Sequence, residues 1–381
     1  MTQGSLFIVG SGIRSIAQLT LEAIMHIENA DKVFYVVCDP VTEGFIKEKN
    51  PNAVDLYEYY SNTKLRNETY IQMAEIMLRE VRSGLRVVGV FYGHPGNFVS
   101  PTRRALAIAR DEGYVAKMLP GISADDCLFA DLLIDPCYPG LQTVEATDVL
   151  VRNRPLQTTS HVVIYQVGVI CKSGFDFYSI ENDKFDHFVT RLQEDYGPNH
   201  PVVNYVAAVS PLAEPTIQRH TISELFKDSV KASISGVSTF YIPPKELLPL
   251  TAAGEKLILD LNTDKAAVQV KTYPPLPYCP LSTGQQAYGA YEKSVIEKIK
   301  NHTTPAGYKP YQTSRAMHKA LERLYLDPET VKKYRRDPEG FAAEFEGLKE
   351  NEAEALRSGN PDSCASLGAA VLHAVAVWIA C

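Results

Sequence analysis

The sequence predicts an α/β fold with largely parallel sheets over residues 1 to about 245, split in two near residue 120. Three observations carry this. Short β-branched runs alternate with stretches of helical period, the pattern of strands joined by crossover helices. Two of those runs close in Pro-Gly turns that lead into a helix. The alternation stops after YIPPK, Tyr241 to Lys245, where helices take over.

In chain order, Leu6–Val9, Val33–Val37, Val87–Phe91, His161–Tyr165, Val202–Val206 and Ser238–Ile242 read as strands. Between them, Ile71 to Arg82 (IQMAEIMLREVR) repeats apolar residues at helical spacing. The proline-rich stretch TYPPLPYCPLSTG, Thr272 to Gly284, has no helical period and reads as an extended arm. Helices are expected over Gln286–His302 and Ser314–Tyr325, then after LDPET and RDPEG, where Asp327 and Asp337 suit N-caps ahead of a proline. LRSGNPDS, Leu356 to Ser363, is a helix stop and a link. The chain then finishes on LGAAVLHAVAVWIAC, Leu367 to Cys381, fifteen residues with one histidine and no charged side chain.

The formal charge of −7, from 38 basic and 45 acidic residues, argues against nucleic acid as a partner, since phosphate neutralisation needs a basic surface. Seven scattered cysteines without a CxxC pair outline neither a disulfide framework nor a metal site. No secretory signal opens the chain, and the apolar tail is shorter than the roughly 20 residues that span a bilayer. The expectation is a cytoplasmic enzyme without a metal, away from membranes.

IVGSGIRS, Ile8 to Ser15, places Gly10 and Gly12 after a strand but lacks the third glycine of a dinucleotide loop, and Asp39 stands where such a fold would hold a ribose. This stretch suits a plain turn as well as a nucleotide site. VVGVFYGHPGNFVSP (Val87 to Pro101) and LPGISADD (Leu119 to Asp126) are more specific. In each, a strand ends in a Pro-Gly turn that brings backbone groups close to whatever lies beyond the strand.

With the later SGVSTFYIPP, these motifs resemble the tetrapyrrole-methylase (class III) fold. YEYYSNTKLRNETYIQM (Tyr57 to Met73), FYGHPG, PGISADDCLFADLLIDP, HPVVNYVAA and GVSTFYIPPK together resemble the fungal borosin precursors of the omphalotin type. The resemblance implies a two-domain methylase-like fold over 1–245, a helical clasp with its arm over 246–358, a linker over 359–366 and a hydrophobic core peptide over 367–381. The implied activity is S-adenosylmethionine-dependent α-N-methylation of the protein's own C-terminal peptide, leaving S-adenosylhomocysteine. It further implies a homodimer whose subunits methylate in trans, in the making of a ribosomal peptide natural product that a downstream protease or macrocyclase releases. Carried over position by position, Tyr92, His94, Asn97, Ser123, Ala124, Asp125, Gln166, Asn204, Ser235, Gly236 and Val237 would border the cofactor. Arg66, Tyr70 and Tyr92 would be catalytic, and Tyr57 and Tyr60 would place the peptide. The amides of Ala369, Ala370, Val371, Leu372, His373, Ala374, Val375, Ala376, Val377, Trp378 and Ile379 are the candidates for methylation.

The chemistry accounts for such a set. An amide nitrogen is a poor nucleophile because its lone pair is delocalised into the carbonyl. Methylating it requires removal of its proton, or stabilisation of the carbonyl oxygen as an imidate. Arg66 and Tyr70 are four apart, on one face of a helix, where a guanidinium favours phenolate. Tyr70 is then the base, Arg66 its tuner, Tyr60 the donor to the amide oxygen and Tyr92 the positioner. Spacing alone favours an ordinary surface pair and packed tyrosines; the resemblance reverses both preferences. Two rivals stand. A small-molecule methylase of the tetrapyrrole type would leave the tail unmodified, and a non-catalytic methylase-fold protein would use the tail to dock on a partner.

Overall fold

The computed structural model describes residues 4–174, 182–210, 212–246, 248–249, 251–254, 256, 290–304, 314–326 and 328–358. The expected proline-rich arm, the linker and every residue of the apolar tail, with all its candidate methylation sites, lie outside the described residues, as does Asp327. The chain divides into two compact units, Met1–Gly284 and Gln285–Cys381.

The first unit holds two five-stranded sheets. In the first, β1 (Ser5–Gly10), β2 (Lys32–Val36), β3 (Ala53–Asp55), β4 (Arg86–Phe91) and β5 (Val115–Met118) are ordered β3-β2-β4-β1-β5, all parallel. Helices α1 (Leu21–Glu28) and α2 (Pro40–Lys49) cover one face, and α3 (Arg66–Arg82) and α4 (Ser100–Asp111) the other. Leu6 and Ile8 of β1 pack towards α3 and α4, while Val9 packs with Ala23 and Ile27 of α1. Burial on both faces is why this strand reads as a continuous apolar run. The connections from β1 and from β4 leave in opposite directions, so a crevice opens at the C-terminal ends of these two neighbours.

Asp39 is engaged in a local helix cap. Its carboxylate caps α2, accepting from the Thr42 N–H at 2.8 Å, with Pro40 in the first helical turn. The Gly12 loop is likewise closed on itself: the Gln18 Oε1 accepts from the N–H groups of Ile13 and Arg14 at 2.7 and 2.9 Å. Donors that a dinucleotide loop would aim at phosphate are committed to a side chain.

The second sheet departs from the expected parallel arrangement. β6 (Leu141–Glu145), β7 (His161–Tyr165), β8 (Pro201–Val206), β9 (Thr216–Thr221) and β10 (Thr239–Ile242) are ordered β6-β7-β10-β8-β9, and only β6 and β7 pair in parallel. β10 inserts antiparallel between β7 and β8. All four of its residues are buried, so its sequence carries an apolar run but no sign of direction. Helix α5 (Ala124–Leu132) packs on one face, through Leu128 and Leu132 against Val163, Tyr205 and Tyr241. Helices α6 (Ala146–Val151) and α7 (Phe185–Tyr196) pack on the other, around Phe188, Leu192 and Phe240. A short helix, α8 (Asp228–Lys231), precedes β10.

The second unit is helical: α9 (Ala290–Glu297), α10 (Arg315–Leu326), α11 (Pro328–Arg336), α12 (Pro338–Ala343) and α13 (Glu350–Arg357). Met317, Ala320, Tyr334, Phe341 and Leu356 form its core. As the Asp-Pro pattern predicts, Asp337 caps α12 by accepting from the Gly340 N–H at 2.8 Å. The buried Glu352 ties two helix starts together, accepting from the Ser314 N–H at 2.7 Å and the Lys349 N–H at 3.0 Å.

Candidate active site

At the C-terminal ends of β1 and β4 three glycines bring backbone against backbone. A Cβ on Gly10 would stand 2.3 Å from the Gly93 carbonyl oxygen and 2.9 Å from the Gly121 Cα. Gly93 adopts φ +66° and its N–H donates to the Gly12 carbonyl at 2.8 Å. The approach at Gly10 and Gly121 leaves no room for a Cβ, and the left-handed conformation at Gly93 favours glycine, which accounts for glycine at these three positions.

Beyond these turns lies a cavity of about 550 Å³ within the first unit. Its wall brings together Tyr57, Tyr60, Arg66, Tyr70, Tyr92, Asn97, Gln166, Gly236 and Val237 from the residues singled out in the sequence. The segment Tyr57–Tyr59 is a 3-10 turn, and α3 begins at Arg66, so Arg66 and Tyr70 occupy one face of its first turns. Tyr60 meets Tyr70 edge to face, with centroids 6.4 Å apart, and Tyr57 lies 5.3 Å from Tyr60. Burial, then the neighbouring Tyr70, pushes the Tyr60 phenol well above its ordinary pKa, and burial raises Tyr57 likewise. Tyr92 leaves 44% of its surface open, yet protein crowds its phenol enough that desolvation raises the pKa to about 12. These three phenols are neutral hydrogen-bond donors at neutral pH. The Arg66 guanidinium does not end on a phenol: it donates to the main-chain carbonyl of Lys172.

The other singled-out positions sit outside this wall. His94 accepts from the Gly96 N–H at 3.0 Å through Nδ1. Ser123 caps α5 in a reciprocal box with Asp126, which accepts from the Ser123 N–H at 2.6 Å, and Ala124 is the first residue of that helix. Asn204 is fully buried in β8, donating to the Gln218 side chain at 2.9 Å. The Ser235 carbonyl closes against Gly168, where a Cβ would stand 2.0 Å from it. Asp125 accepts from the Tyr165 hydroxyl, and Tyr165 in turn meets the cavity residue Phe98 edge to face at 4.9 Å. The Asp125 Oδ1 is buried without a protein partner, and burial raises the carboxyl pKa. A donor from a bound cofactor would satisfy it.

Sequence reasoning missed much of the wall: Met73, Phe98, Val99, Pro101, Val169, Lys172 and Gly174 also line it. Phe98 and Val99 stood inside a quoted motif, so proximity to FYGHPG could have found them. Lys172 and Gly174 belong to a loop without a motif. Among the described residues no group of three or more His, Cys, Asp or Glu could hold a metal ion, and no helix is long and apolar enough to cross a membrane.

The gymnopeptides precursor of Gymnopus fusipes, named a methyltransferase/ribosomally synthesized cyclic peptide precursor, is 50% identical over 360 residues, covering 93% of this chain and 85% of its own. The dendrothelin A precursor of Dendrothele bispora is 48% identical and the omphalotin A precursor of Omphalotus olearius 47%, each covering 94% of this chain and 86% of its own. The chain belongs to the borosin methyltransferase–precursor family. Residues 5–225 match the Tetrapyrrole (Corrin/Porphyrin) Methylases model and residues 287–377 the Borosin biosynthesis clasp domain. In this borosin chain the methylase match takes in both sheets as far as β9, and the clasp match takes in α9 to α13.

Proposed function

We propose that this chain is an S-adenosylmethionine-dependent methyltransferase that methylates backbone amides of its own C-terminal peptide, Leu367 to Cys381. Its family membership supports a methyltransferase joined to a peptide precursor. The observation that carries the chemistry is the tyrosine-lined cavity with Arg66 at its wall. Residues 1–245 would supply the catalyst, 246–358 the clasp, and 359–366 the link to the substrate.

The cofactor, when bound, supplies an electrophilic methyl group on a sulfonium. The orphaned Asp125 Oδ1 and the glycine-lined strand ends fit such a ligand, and Gln166, Gly236 and Val237 line the cavity. The chain's own residues then act on the amide. Tyr60, held neutral by burial, donates to the carbonyl oxygen and favours the imidate form. Tyr70 takes the amide proton, Arg66 supplies positive charge beside it, and Tyr92 positions the methyl group. Tyr57 packs on Tyr60 and helps orient the peptide. An apolar tail of small and branched side chains suits a wall that reads backbone. The homodimer is part of this reading: each subunit's tail would enter the partner's site. A separate protease or macrocyclase would release the product.

Tandem mass spectrometry of the C-terminal fragment tests it. Protein expressed alone should carry CH₂ increments on backbone nitrogens between Leu367 and Cys381. Arg66→Ala should slow their appearance by about 100-fold, the scale for losing one pre-organised electrostatic partner. An unmodified tail in a protein that binds the cofactor would point instead to a diffusible substrate. Methylated tail from a mixture of tail-less and Arg66→Ala subunits would establish exchange between subunits.

A further inference from the structure

Arg66 is held from the other sheet. After β7 the chain forms a strap, residues 166–174, in which Gln166 and Cys171 both adopt a left-handed conformation, φ +58° and +60°. Side chains other than glycine take that conformation only where surroundings impose it. Two side chains outside the strap do so. The Cys171 N–H donates to the Thr147 Oγ1 at 3.0 Å. The Asn182 carboxamide donates to the Val167 carbonyl at 2.8 Å and accepts from the Ile170 N–H at 3.3 Å.

What the strap then does is hold Arg66. The Lys172 carbonyl accepts from its guanidinium, the Ser173 carbonyl accepts from its backbone N–H at 3.0 Å, and Gly174 bridges Leu65. We infer that Thr147 and Asn182 are positioning residues for the methyl transfer: they brace the turn whose Lys172 carbonyl holds the Arg66 guanidinium at the cavity wall and whose Ser173 carbonyl holds its main chain. Thr147 lies on α6 and Asn182 just ahead of α7, and neither lines the cavity. Both therefore act through the strap and through Arg66; Thr147 holds Cys171, next to the Lys172 carbonyl and five residues from Gln166, so its loss affects the rate rather than the cofactor. This inference rests on the function proposed above.

The test uses the full chain, Thr147→Val, which keeps the shape and removes the acceptor, and Thr147→Ser, which keeps the acceptor. Tail methylation is followed over time at several S-adenosylmethionine concentrations, alongside amide hydrogen exchange at Arg66 and Cys171. Thr147→Val should methylate about tenfold more slowly at saturating cofactor, a modest case of the loss that follows misplacement of a catalytic group. Its half-saturating concentration should stay at the wild-type value, and both amides should exchange faster. Thr147→Ser should restore rate and protection, and Asn182→Ala should slow methylation and speed exchange at Arg66 as Thr147→Val does. Wild-type rate and exchange in Thr147→Val would overturn the brace, as would a Thr147→Ser as slow as Thr147→Val. A wild-type chain that never methylates its tail would overturn the proposed function instead. Exchange at Arg66 would then still decide the brace, faster exchange in Thr147→Val upholding it and unchanged exchange overturning it.

Discussion

The two sheets of the N-terminal unit, equal in strand number, position their shares of the cavity by different means. In the first, all parallel, the strand ends are set by glycines packed main chain on main chain at Gly10, Gly93 and Gly121. In the second, of mixed direction, the loops are set by side chains reaching out to them, as Thr147 and Asn182 do. The first device tolerates no added atom. The second gives way by degrees, because each bond is one of several.

The sharpest way to break that contrast is Gly10→Ala. Its Cβ would collide with the Gly93 carbonyl, in the turn just past β4, and with the Gly121 Cα, main chain on both sides, and the loss should be about 3 kcal/mol in chemical denaturation. A well-tolerated alanine would remove the basis of the comparison.

Next comes pH. His26, buried beside Phe7 and 3.2 Å from the Arg86 guanidinium, has its pKa lowered to about 4 by burial, then by Arg86 and Lys117. A histidine depressed below its unfolded value of about 6.5 contributes stability that is present above that value and lost as pH falls towards the folded one. The first sheet should lose about 2 kcal/mol between pH 7 and 5 from this residue alone, and His26→Asn should flatten that part of the profile. In the second sheet, burial lowers the pKa of His161 as well, but the Tyr138 carbonyl opposes the shift, and its ring nitrogens lie 2.8 Å from the Tyr241 hydroxyl and 3.2 Å from that carbonyl. His161→Asn should therefore change the slope less.

Gly168→Ala is the counterpart of Gly10→Ala in the second half. The clash with the Ser235 carbonyl is close, but both partners sit on loops that can separate. About 1–2 kcal/mol is expected, within the range for overpacking, with methylation reduced more than stability. The smallest effect should come from Tyr205→Phe, which deletes a 2.7 Å hydrogen bond to Asp131 and should cost about 1 kcal/mol by denaturation.

The same contrast decides what could be read in the sequence. Residues whose job is set by the backbone left a trace: Gly93 and Gly121 in Pro-Gly turns, the apolar runs of β1, β2 and β4, and Asp337 ahead of its proline. Short or half-exposed strands did not. Val115 of β5 is exposed, and the alternation of β9 is weak, so neither reads as an apolar run. The antiparallel placement of β10 was illegible because periodicity reports burial and not direction. At the site, Tyr57 to Tyr70 stood out as a motif only through the family resemblance. Lys172 and Gly174 did not stand out, since the strap works through main-chain carbonyls and the left-handed turn at Cys171 lacks the glycine that would have marked it.

Those carbonyls have an evolutionary consequence. Every amino acid carries the same one, so the acceptors that hold Arg66 survive almost any codon change at Lys172 or Ser173. At those two positions the strap is free to drift in sequence while its path is kept. The vulnerable spots in a mutational scan would lie elsewhere: at Thr147 and Asn182, at Gly168 against the Ser235 carbonyl, and at Cys171, where proline would delete the N–H that Thr147 receives. A lineage could thus vary the loop that lines the cavity without loosening Arg66 at its wall.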